Sequence, residues 1–437
     1  MKFLSFDQGW IPRQYQQQVV SSLLELGLLK HDNSRNLPLK SGGTTDIYIN
    51  LRDARDRPEA ITYLADLFKD PLRCLDVSRF VEVPDSVSCF AGPLSVKLNM
   101  PYLTMRGEAK EGRVANAKVI GHSIKGERVA LIDDVITDAA SKVEPYHECL
   151  RRGLDVAALV VLVDRQQGWK ERVGLSGLSV WFGMTLHDVR RELIGIGAMR
   201  RCDPDVEKKN PIIVALDGKS WDEIFPVVDS LRTTGCILKV NDLLFAEGMD
   251  HLLPELSIYG RVMVDLKSHD IPNTVENTCC RLAKHRPLAV TVHASGGTEM
   301  IQAAVKALAG TETKVLAITA LTSLDDRNCQ RIYGTRSLKT VRKLANIAFS
   351  IGAHGIVCSP REVSEMKLEW PGDDKIYVTP GVMSDNAPTN DQARISTPKG
   401  AMDNGANYIV MGRQIIEAND PVAEVKRVLS EELGVVL

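Results

Sequence analysis

Residues 261–274 read RVMVDLKSHDIPNT and join a short apolar run to three charged side chains. The run RVMV predicts a buried β-strand, and because side chains alternate along a strand, Asp265 and Lys267 share one face while Asp270 follows in the loop. One ammonium would then face two carboxylates. Two like charges about 4 Å apart repel by roughly 4 kcal/mol at an effective dielectric near 20. Two interpretations remain open at this point, a structural salt-bridge cluster and a reactive centre.

Apolar, β-branched runs like this one recur through the second half of the chain. The eight runs are residues 212–216, 236–240, 262–266, 288–292, 315–321, 355–357, 376–378 and 408–411. Stretches with helical spacing separate most of them, for example residues 276–285, 298–308 and 338–351. A strand-then-helix pattern repeated eight times predicts a parallel (β/α)8 TIM barrel.

Side chains suited to chemistry lie at the ends of these runs, where barrel enzymes place their active sites. They are Asp217, Lys239, Asp265, Lys267, His293, Thr322, Ser359, Gly381 and Arg413. The loops after the seventh and eighth strands often bind phosphate. Here those loops offer Gly381, Gln392, Gly412 and Arg413, which combine close backbone approach with one bidentate cation.

Eight short motifs stand in a fixed order along residues 211–437. They are IIVALD ending at Asp217, LKV with Lys239, DLKSHDIPNT, VHASGG, ALTS with Thr322, GIVCS, VTPG and VMGR with Arg413. Together they resemble the signature of the orotidine 5′-monophosphate decarboxylase family in its bacterial form. The resemblance implies decarboxylation of orotidine monophosphate without a cofactor.

The resemblance also implies roles for the matching residues. Lys267 resembles the proton donor, and Asp265 and Asp270 would fix its ammonium, with Lys239 extending the charge network. The remaining substrate contacts implied for the decarboxylase are Asp217, Thr274, Thr322, Gln392, Gly412 and Arg413. In this family the second Asp of the signature enters the neighbouring subunit's site, which implies a homodimer or a higher homo-oligomer.

One departure concerns the phosphate end of the predicted site. The family usually has Pro-Gly-Ile-Arg where this chain has Pro380-Gly381-Val382-Met383. The arginine expected at this position is therefore missing, and Arg413 would bind the phosphate without this second cation.

A second motif, RVALIDDVITDAAS, occupies residues 128–141 in the first half of the chain. Residues 129–132 predict a fully buried strand with Asp133 and Asp134 at its end, and residues 137–141 lead into a helix whose N–H groups can hold a phosphate. This motif resembles the phosphoribosyl pyrophosphate signature of type I phosphoribosyltransferases. The resemblance implies that the two acids hold ribose hydroxyls and that Thr137 and Ser141 lie in the phosphate loop.

Three other segments resemble orotate phosphoribosyltransferase, an enzyme that uses Mg²⁺. LKSG followed by DIYIN places Lys40 and Tyr48 near orotate and pyrophosphate, Asp164-Arg165-Gln166 resembles the orotate-carboxylate arginine, and RGEAK places Arg106 and Lys110 in the mobile loop. The mobile loop departs from its family form, because Gly107 replaces a lysine and the usual histidine is missing. Asp138 likewise stands in a phosphate loop where an acid is unfavourable.

Composition predicts a two-domain cytoplasmic enzyme. The 437 residues carry a net charge of −2, which favours neither nucleic acid nor an anionic membrane as a partner. Nine scattered cysteines without a C-x-x-C pair suggest no zinc site and no disulfide framework. No apolar run is long enough for a secretory leader or a membrane span. Two prolines and five charges in CDPDVEKKNP predict a linker at residues 204–210, between a transferase-like domain at residues 1–203 and a barrel at residues 211–437.

The resulting hypothesis is a fused enzyme of pyrimidine synthesis whose substrates are orotate, phosphoribosyl pyrophosphate and orotidine monophosphate. The alternative for the first domain is a degenerate phosphoribosyltransferase-like scaffold that serves dimerisation or regulation. The alternative for the barrel is a related decarboxylase that acts on a sugar acid phosphate.

Overall fold

The computed structural model describes residues 9–33, 36–38, 44–83, 85–106, 119–166, 169, 174–175, 177–372, 374–385 and 396–436. The chain forms two compact units, Met1–Arg200 and Arg201–Leu437. The segment predicted as a linker, residues 204–210, contains a short helix, Pro204–Lys209, and the second unit begins at Arg201.

The first unit is an α/β fold around one mixed sheet. Its strands are β1 (Leu29–His31), β2 (Leu37–Pro38), β3 (Thr44–Thr45), β4 (Ile47–Ile49), β5 (Arg79–Glu82), β6 (Tyr102–Met105), β7 (Val119–Ile120), β8 (Arg128–Ile136), β9 (Asp155–Asp164) and β10 (Val180–Thr185). Its helices are α1 (Arg13–Glu25), α2 (Pro58–Cys74), α3 (Ser88–Leu98), α4 (Ala140–Arg151) and α5 (Leu186–Gly195). The main sheet has the order β10-β9-β8-β5-β6-β7, in which only β7 runs antiparallel to its neighbour. This architecture is compatible with the phosphoribosyltransferase-like fold expected from the sequence.

Strand β8 lies in the interior of this sheet and is covered on both faces. Ala130 and Ile132 pack into one hydrophobic cluster, whereas Val129 and Leu131 pack into another. Burial on both faces explains why the run is continuously apolar. The strand also continues four residues beyond its predicted end, to Ile136, because its ladder with β9 extends to that residue. The two acids therefore lie within the strand, and the expectation that they follow it is wrong.

The second unit is a closed barrel of eight parallel strands, as predicted. The strands are β11 (Ile212–Ala215), β12 (Ile237–Val240), β13 (Arg261–Ser268), β14 (Ala289–His293), β15 (Lys314–Ile318), β16 (Gly355–Val357), β17 (Ile376–Thr379) and β18 (Tyr408–Met411). The helices are α6 (Pro204–Lys209), α7 (Trp221–Leu231), α8 (Leu243–Glu247), α9 (Met249–Ser257), α10 (Pro272–Ala283), α11 (Thr298–Ala307), α12 (Asp326–Tyr333), α13 (Ser337–Ser350), α14 (Val363–Glu369), α15 (Pro398–Asp403), α16 (Arg413–Ile416) and α17 (Pro421–Arg427). The fold is a TIM barrel whose interior cluster draws one or two buried residues from nearly every strand.

Strand β13 carries an irregularity that positions the predicted site. Its register against β14 shifts between Val264 and Ser268, and Lys267 has a left-handed backbone with φ +49°. A bulge of this kind re-aims side chains near active sites. A left-handed conformation is strained for any residue with a Cβ, and such strain persists only where surrounding contacts impose it.

Within the described parts of the chain, no helix combines the length and the apolar character that crossing a bilayer requires.

Candidate active site

A cavity of about 400 Å³ opens beyond the C-terminal ends of the barrel strands. Eight residues singled out in the sequence line it, namely Asp217, Lys239, Asp265, Lys267, Thr322, Gly381, Gly412 and Arg413. They come from the ends of six different strands, so the fold brings together side chains that are up to about two hundred residues apart in the chain. The rest of the lining is mainly apolar and includes Met263, Ile318 and Val378.

Four charged side chains form an alternating chain along one wall of this cavity. Lys239 Nζ lies 2.7 Å from Asp217 Oδ2 and 3.2 Å from Asp265 Oδ2. Lys267 Nζ lies 2.7 Å from the same Asp265 oxygen. Each ammonium therefore has a carboxylate beside it, and Asp265 stands between two ammonium groups, which removes most of the repulsion that the sequence alone would predict.

Burial differs along this chain of charges. The side chains of Lys239 and Asp265 are only 7% and 8% exposed, whereas that of Lys267 is 36% exposed towards the cavity. Burial alone would lower the pKa of Lys239, but the two carboxylates beside it outweigh burial and raise that pKa above its ordinary value. Lys239 is therefore a fixed cation, while Lys267 is the ammonium that a ligand can reach.

Thr291 on β14 also belongs to this network, although it was not among the site residues predicted from the sequence. Its hydroxyl donates to Asp265 Oδ1 at 2.9 Å and accepts the backbone N–H of Lys267 at 2.8 Å. One buried hydroxyl thus orients the central carboxylate and fixes the strained backbone of Lys267. The sequence signal for Thr291 was its polar side chain between two valines in the strand AVTVH.

We expect Thr291→Val to lower kcat for the decarboxylation implied by the sequence by about 10- to 100-fold, with a smaller change in KM. The substitution keeps the shape of the side chain but leaves a buried acceptor and a buried donor unsatisfied, which costs about 1–3 kcal/mol. Steady-state kinetics measure this effect, and Thr291→Ser, which keeps the hydroxyl, should restore most of the rate. Equal losses in the Val and Ser variants would show that the hydroxyl has no positioning role.

Asp270 and Thr274 do not join the network of their own chain. Both are exposed, and Asp270 accepts the N–H of Ile271 at 2.7 Å. Neither is among the residues that line the described cavity. The sequence predicted that the Lys267 ammonium faces the carboxylates of both Asp265 and Asp270. In the structure it faces only that of Asp265, because the bulge in β13 and the start of α10 at Pro272 carry Asp270 outwards.

The loops after β17 and β18 form the predicted phosphate end. Gly381 has φ +77°, a conformation that favours glycine, and Gly412 precedes the short helix α16. Arg413 lines the cavity, and Met383 lines it where the family arginine was expected. Gln392, the remaining predicted contact, lies outside the described residues.

His293 packs against His269 near the network, with ring centroids 5.2 Å apart. Burial first, and then the neighbouring His269 and Lys267, lower the pKa of His293 to about 4. Ser295 hydrogen-bonds its Nδ1 at 2.7 Å. Ring packing and the Ser295 hydrogen bond hold the pair, and no group of three or more His, Cys, Asp or Glu side chains that could bind a metal ion is found among the described residues.

The first unit holds a second cavity, of about 330 Å³, at the end of β8. Four predicted transferase residues line it, namely Arg106, Asp133, Asp134 and Ser141. Arg52, Ser86 and Lys142 line it as well and were missed in the sequence. The signal for Lys142 was its place on the first turn of α4, directly after the phosphate-loop motif.

Asp133 is already neutralised by its own chain. It is almost fully buried, forms an ion pair with the buried Lys142, and accepts the hydroxyl of Ser86. Its Oδ1 also accepts the N–H of Asp134 at 2.8 Å. Burial first, and then the adjacent Asp133, raise the pKa of Asp134 to about 7.

Three more of the predicted transferase residues are described. Tyr48 lies on β4, opposite Lys30 of β1, and buried Arg165 donates to Thr45 at 3.1 Å. Thr137 donates to Asp138 at 3.4 Å. None of the three is among the described residues that line the cavity, and Lys40 and Lys110 lie outside the described residues.

Asp138 contacts the start of helix α4 within the predicted phosphate loop. Its Oδ1 accepts the N–H of Ala140, the first residue of α4, at 3.2 Å. A carboxylate at a helix N-terminus is electrostatically favourable, but it competes with a phosphate for the same N–H group.

The Mg²⁺ implied by the resemblance does not fit the two acids of this cavity. Mg²⁺ in phosphate-transfer sites is held by one or two carboxylates together with substrate phosphates. Here Asp133 Oδ1 accepts the Ser86 hydroxyl and the Asp134 N–H, and Oδ2 forms the ion pair with the Lys142 ammonium, so a protein cation already stands at this carboxylate. We therefore assign no metal to this cavity.

Comparisons with known proteins bear on the second unit. The sequence model described as orotidine 5′-phosphate decarboxylase / HUMPS family matches residues 210–428. A protein of Marinomonas sp. named orotidine 5′-phosphate decarboxylase is 40% identical over 220 residues, covering 49% of this chain and 93% of that protein.

Two solved structures are also similar to this chain. The crystal structure of orotidine 5′-phosphate decarboxylase from Lactobacillus acidophilus shares 37% identity with a TM-score of 0.45, covering 51% of this chain and 98% of that one. The structure of Leishmania donovani UMP synthase shares 27% identity with a TM-score of 0.38, covering 43% and 40% of the two chains. The family match extends over half of the residues and contains the whole Asp217–Lys239–Asp265–Lys267 network. The chain belongs to the orotidine 5′-phosphate decarboxylase / HUMPS family.

Proposed function

We propose that the barrel decarboxylates orotidine monophosphate to uridine monophosphate. The observation that carries this proposal is the alternating Asp217–Lys239–Asp265–Lys267 chain in a cavity that also contains Arg413. Such a cavity offers a cation for a phosphate and an accessible ammonium for a reacting carbon.

Lys267 is the proton donor in this proposal. The bond between the pyrimidine ring and its carboxylate breaks, carbon dioxide leaves, and the electron pair stays on the ring carbon. The Lys267 ammonium stabilises this charge as it develops and then transfers a proton to the same carbon. Asp265 repels the substrate carboxylate in the ground state and holds the ammonium in place. Thr322, which lines the cavity, is assigned to the pyrimidine.

The sequence left open a related decarboxylase that acts on a sugar acid phosphate, so the substrate needs its own test. Purified chain is offered orotidine monophosphate and, separately, a sugar acid phosphate, and carbon dioxide release is followed. The proposal requires release from the nucleotide and none above background from the sugar acid.

We also propose that the barrel works as a homodimer in which Asp270 and Thr274 serve the neighbouring subunit's cavity. Both side chains are exposed at the rim of β13 and α10. An isologous dimer would repeat this contribution at both sites.

Mixing two inactive variants tests the shared site. Lys267→Ala and Asp270→Asn each lose one group, and a hybrid dimer places both defects in one site and leaves the other intact. After subunit exchange at equal amounts, half of the dimers are hybrids with one of two sites working, so about a quarter of wild-type activity should return. A mixture no more active than the sum of the separate variants would contradict the dimeric site.

For the first unit we propose orotate phosphoribosyltransferase activity, which would make the chain a fused uridine monophosphate synthase. The observation in its favour is that Arg106, Asp133, Asp134 and Ser141 line one cavity at the end of a parallel strand. The contrary observations are the Asp133–Lys142 ion pair and the Asp138 carboxylate at the phosphate loop. They favour the second candidate, a phosphoribosyltransferase-like scaffold.

A Lys267→Ala chain separates these candidates, because any orotidine monophosphate that it makes accumulates. We expect weak formation from orotate and phosphoribosyl pyrophosphate, since each missing leaving-group contact costs about 10²–10⁴ in rate. The control is the same chain with Asp133→Asn and Asp134→Asn. Equal accumulation in both chains would establish the scaffold and end the bifunctional proposal.

A cytoplasmic location completes the proposal. None of the nine cysteines, all of which lie among the described residues, is in a disulfide, and a reducing compartment keeps thiols in that state.

A further inference from the structure

The cavity of the first unit contains a buried cation that belongs to the protein itself. The side chain of Lys142 is 9% exposed and that of Asp133 is 2% exposed, and their charged ends are in direct contact. Because a buried charge is tolerated only when it is paired, this lysine and this carboxylate depend on each other.

The protein itself supplies contacts to both carboxylate oxygens of Asp133. One carboxylate oxygen accepts the Ser86 hydroxyl and the Asp134 N–H, and the other faces the Lys142 ammonium. The adjacent acid, Asp134, accepts the N–H of Val135 through one carboxylate oxygen, at 2.8 Å. A divalent ion at this place would also meet the Lys142 charge at contact distance, with twice the repulsion of two single charges.

We propose that the Lys142 ammonium takes the place of a divalent cation at the Asp133–Asp134 pair, so that the free first unit binds neither Mg²⁺ nor Mn²⁺ there. This inference does not depend on transferase activity. It has a consequence for any ligand of the cavity. Of the two motif acids, Asp134 is the one without an ion pair to Lys142, and the lining also carries Arg52, Arg106, Glu144 and Glu148.

Titration of the purified full chain with Mn²⁺, followed by the electron paramagnetic resonance signal of the free ion, tests the proposal. No Mn²⁺ site of the wild type should depend on Asp133, so Asp133→Asn should leave the number and the affinity of bound Mn²⁺ ions unchanged. Lys142→Met keeps the length of the side chain and deletes its charge. This variant should gain one Mn²⁺ site that binds at least about tenfold more tightly than any wild-type site, because the positive charge beside Asp133 is removed. Adding Asp133→Asn to Lys142→Met should abolish the new site.

Two controls make the outcome decisive. Lys97→Met removes an exposed lysine of the same unit, on α3, that pairs with Asp66 at 2.7 Å, and it should gain no Mn²⁺ site at Asp133. Lys142→Gln replaces Lys142→Met if circular dichroism shows that the Met variant has lost its fold. A wild-type Mn²⁺ site that depends on Asp133 would overturn the proposal, and so would a folded Lys142 variant without a gained site.

Discussion

Lys267→Ala is expected to lower kcat for orotidine monophosphate by about four orders of magnitude or more, because charge stabilisation and proton transfer each contribute about 10²–10⁴. Binding of the product nucleotide, measured by calorimetry, should change by less than about tenfold, since the ammonium acts mainly as charge develops. Asp265 keeps its contacts with Lys239 and Thr291 in this variant, so the cavity should stay assembled.

The variant also leaves the backbone strain unchanged. Lys267 has φ +49°, and alanine bears the same left-handed cost as lysine because both carry a Cβ. Lys306→Ala, on the exposed face of α11, is the matched control and should retain wild-type turnover. Comparable turnover in Lys267→Ala would remove the proposed proton donor.

Arg413→Ala is expected to reduce kcat/KM for orotidine monophosphate by about a hundredfold or more. A charge-assisted hydrogen bond contributes roughly 1.5–3 kcal/mol, and a guanidinium can make two of them to one phosphate. Met383 occupies the other family position on the cavity wall, so it cannot compensate with a charge.

Orotidine, which lacks the phosphate, is the control substrate for Arg413. If Arg413 holds the phosphate, the slow turnover of orotidine should be the same in wild type and variant. Arg342→Ala, which removes a surface arginine paired with Glu365 and Glu369, should affect neither substrate. Equal losses with the two substrates would show that Arg413 acts elsewhere than on the phosphate.

The barrel could be predicted from the sequence because its signals are local. Each strand is a short β-branched run followed by a helical stretch, and all eight strands lie within a few residues of the predicted runs. Strand β8 was predicted too short, because its end is set by pairing with β9 and not by its own composition.

The site was predicted less completely, because part of it depends on contacts between strands. Thr291 reaches Asp265 and Lys267 only because β13 and β14 are neighbours and β13 carries a bulge. The same bulge separates Asp270 from Lys267 although they are three residues apart. Lys142 likewise reaches Asp133 across the turn from β8 to α4, which the spacing of the motif does not reveal.

We propose that the Asp217–Lys239–Asp265–Lys267 chain decarboxylates orotidine monophosphate with no help from a metal or cofactor. The direct measurement is formation of uridine monophosphate from orotidine monophosphate by the purified chain, dialysed against a chelator and assayed in its presence. We expect one uridine monophosphate and one carbon dioxide per substrate consumed, at the same rate with and without the chelator. Absence of uridine monophosphate, or a rate that falls with the chelator and returns with added metal, would contradict it.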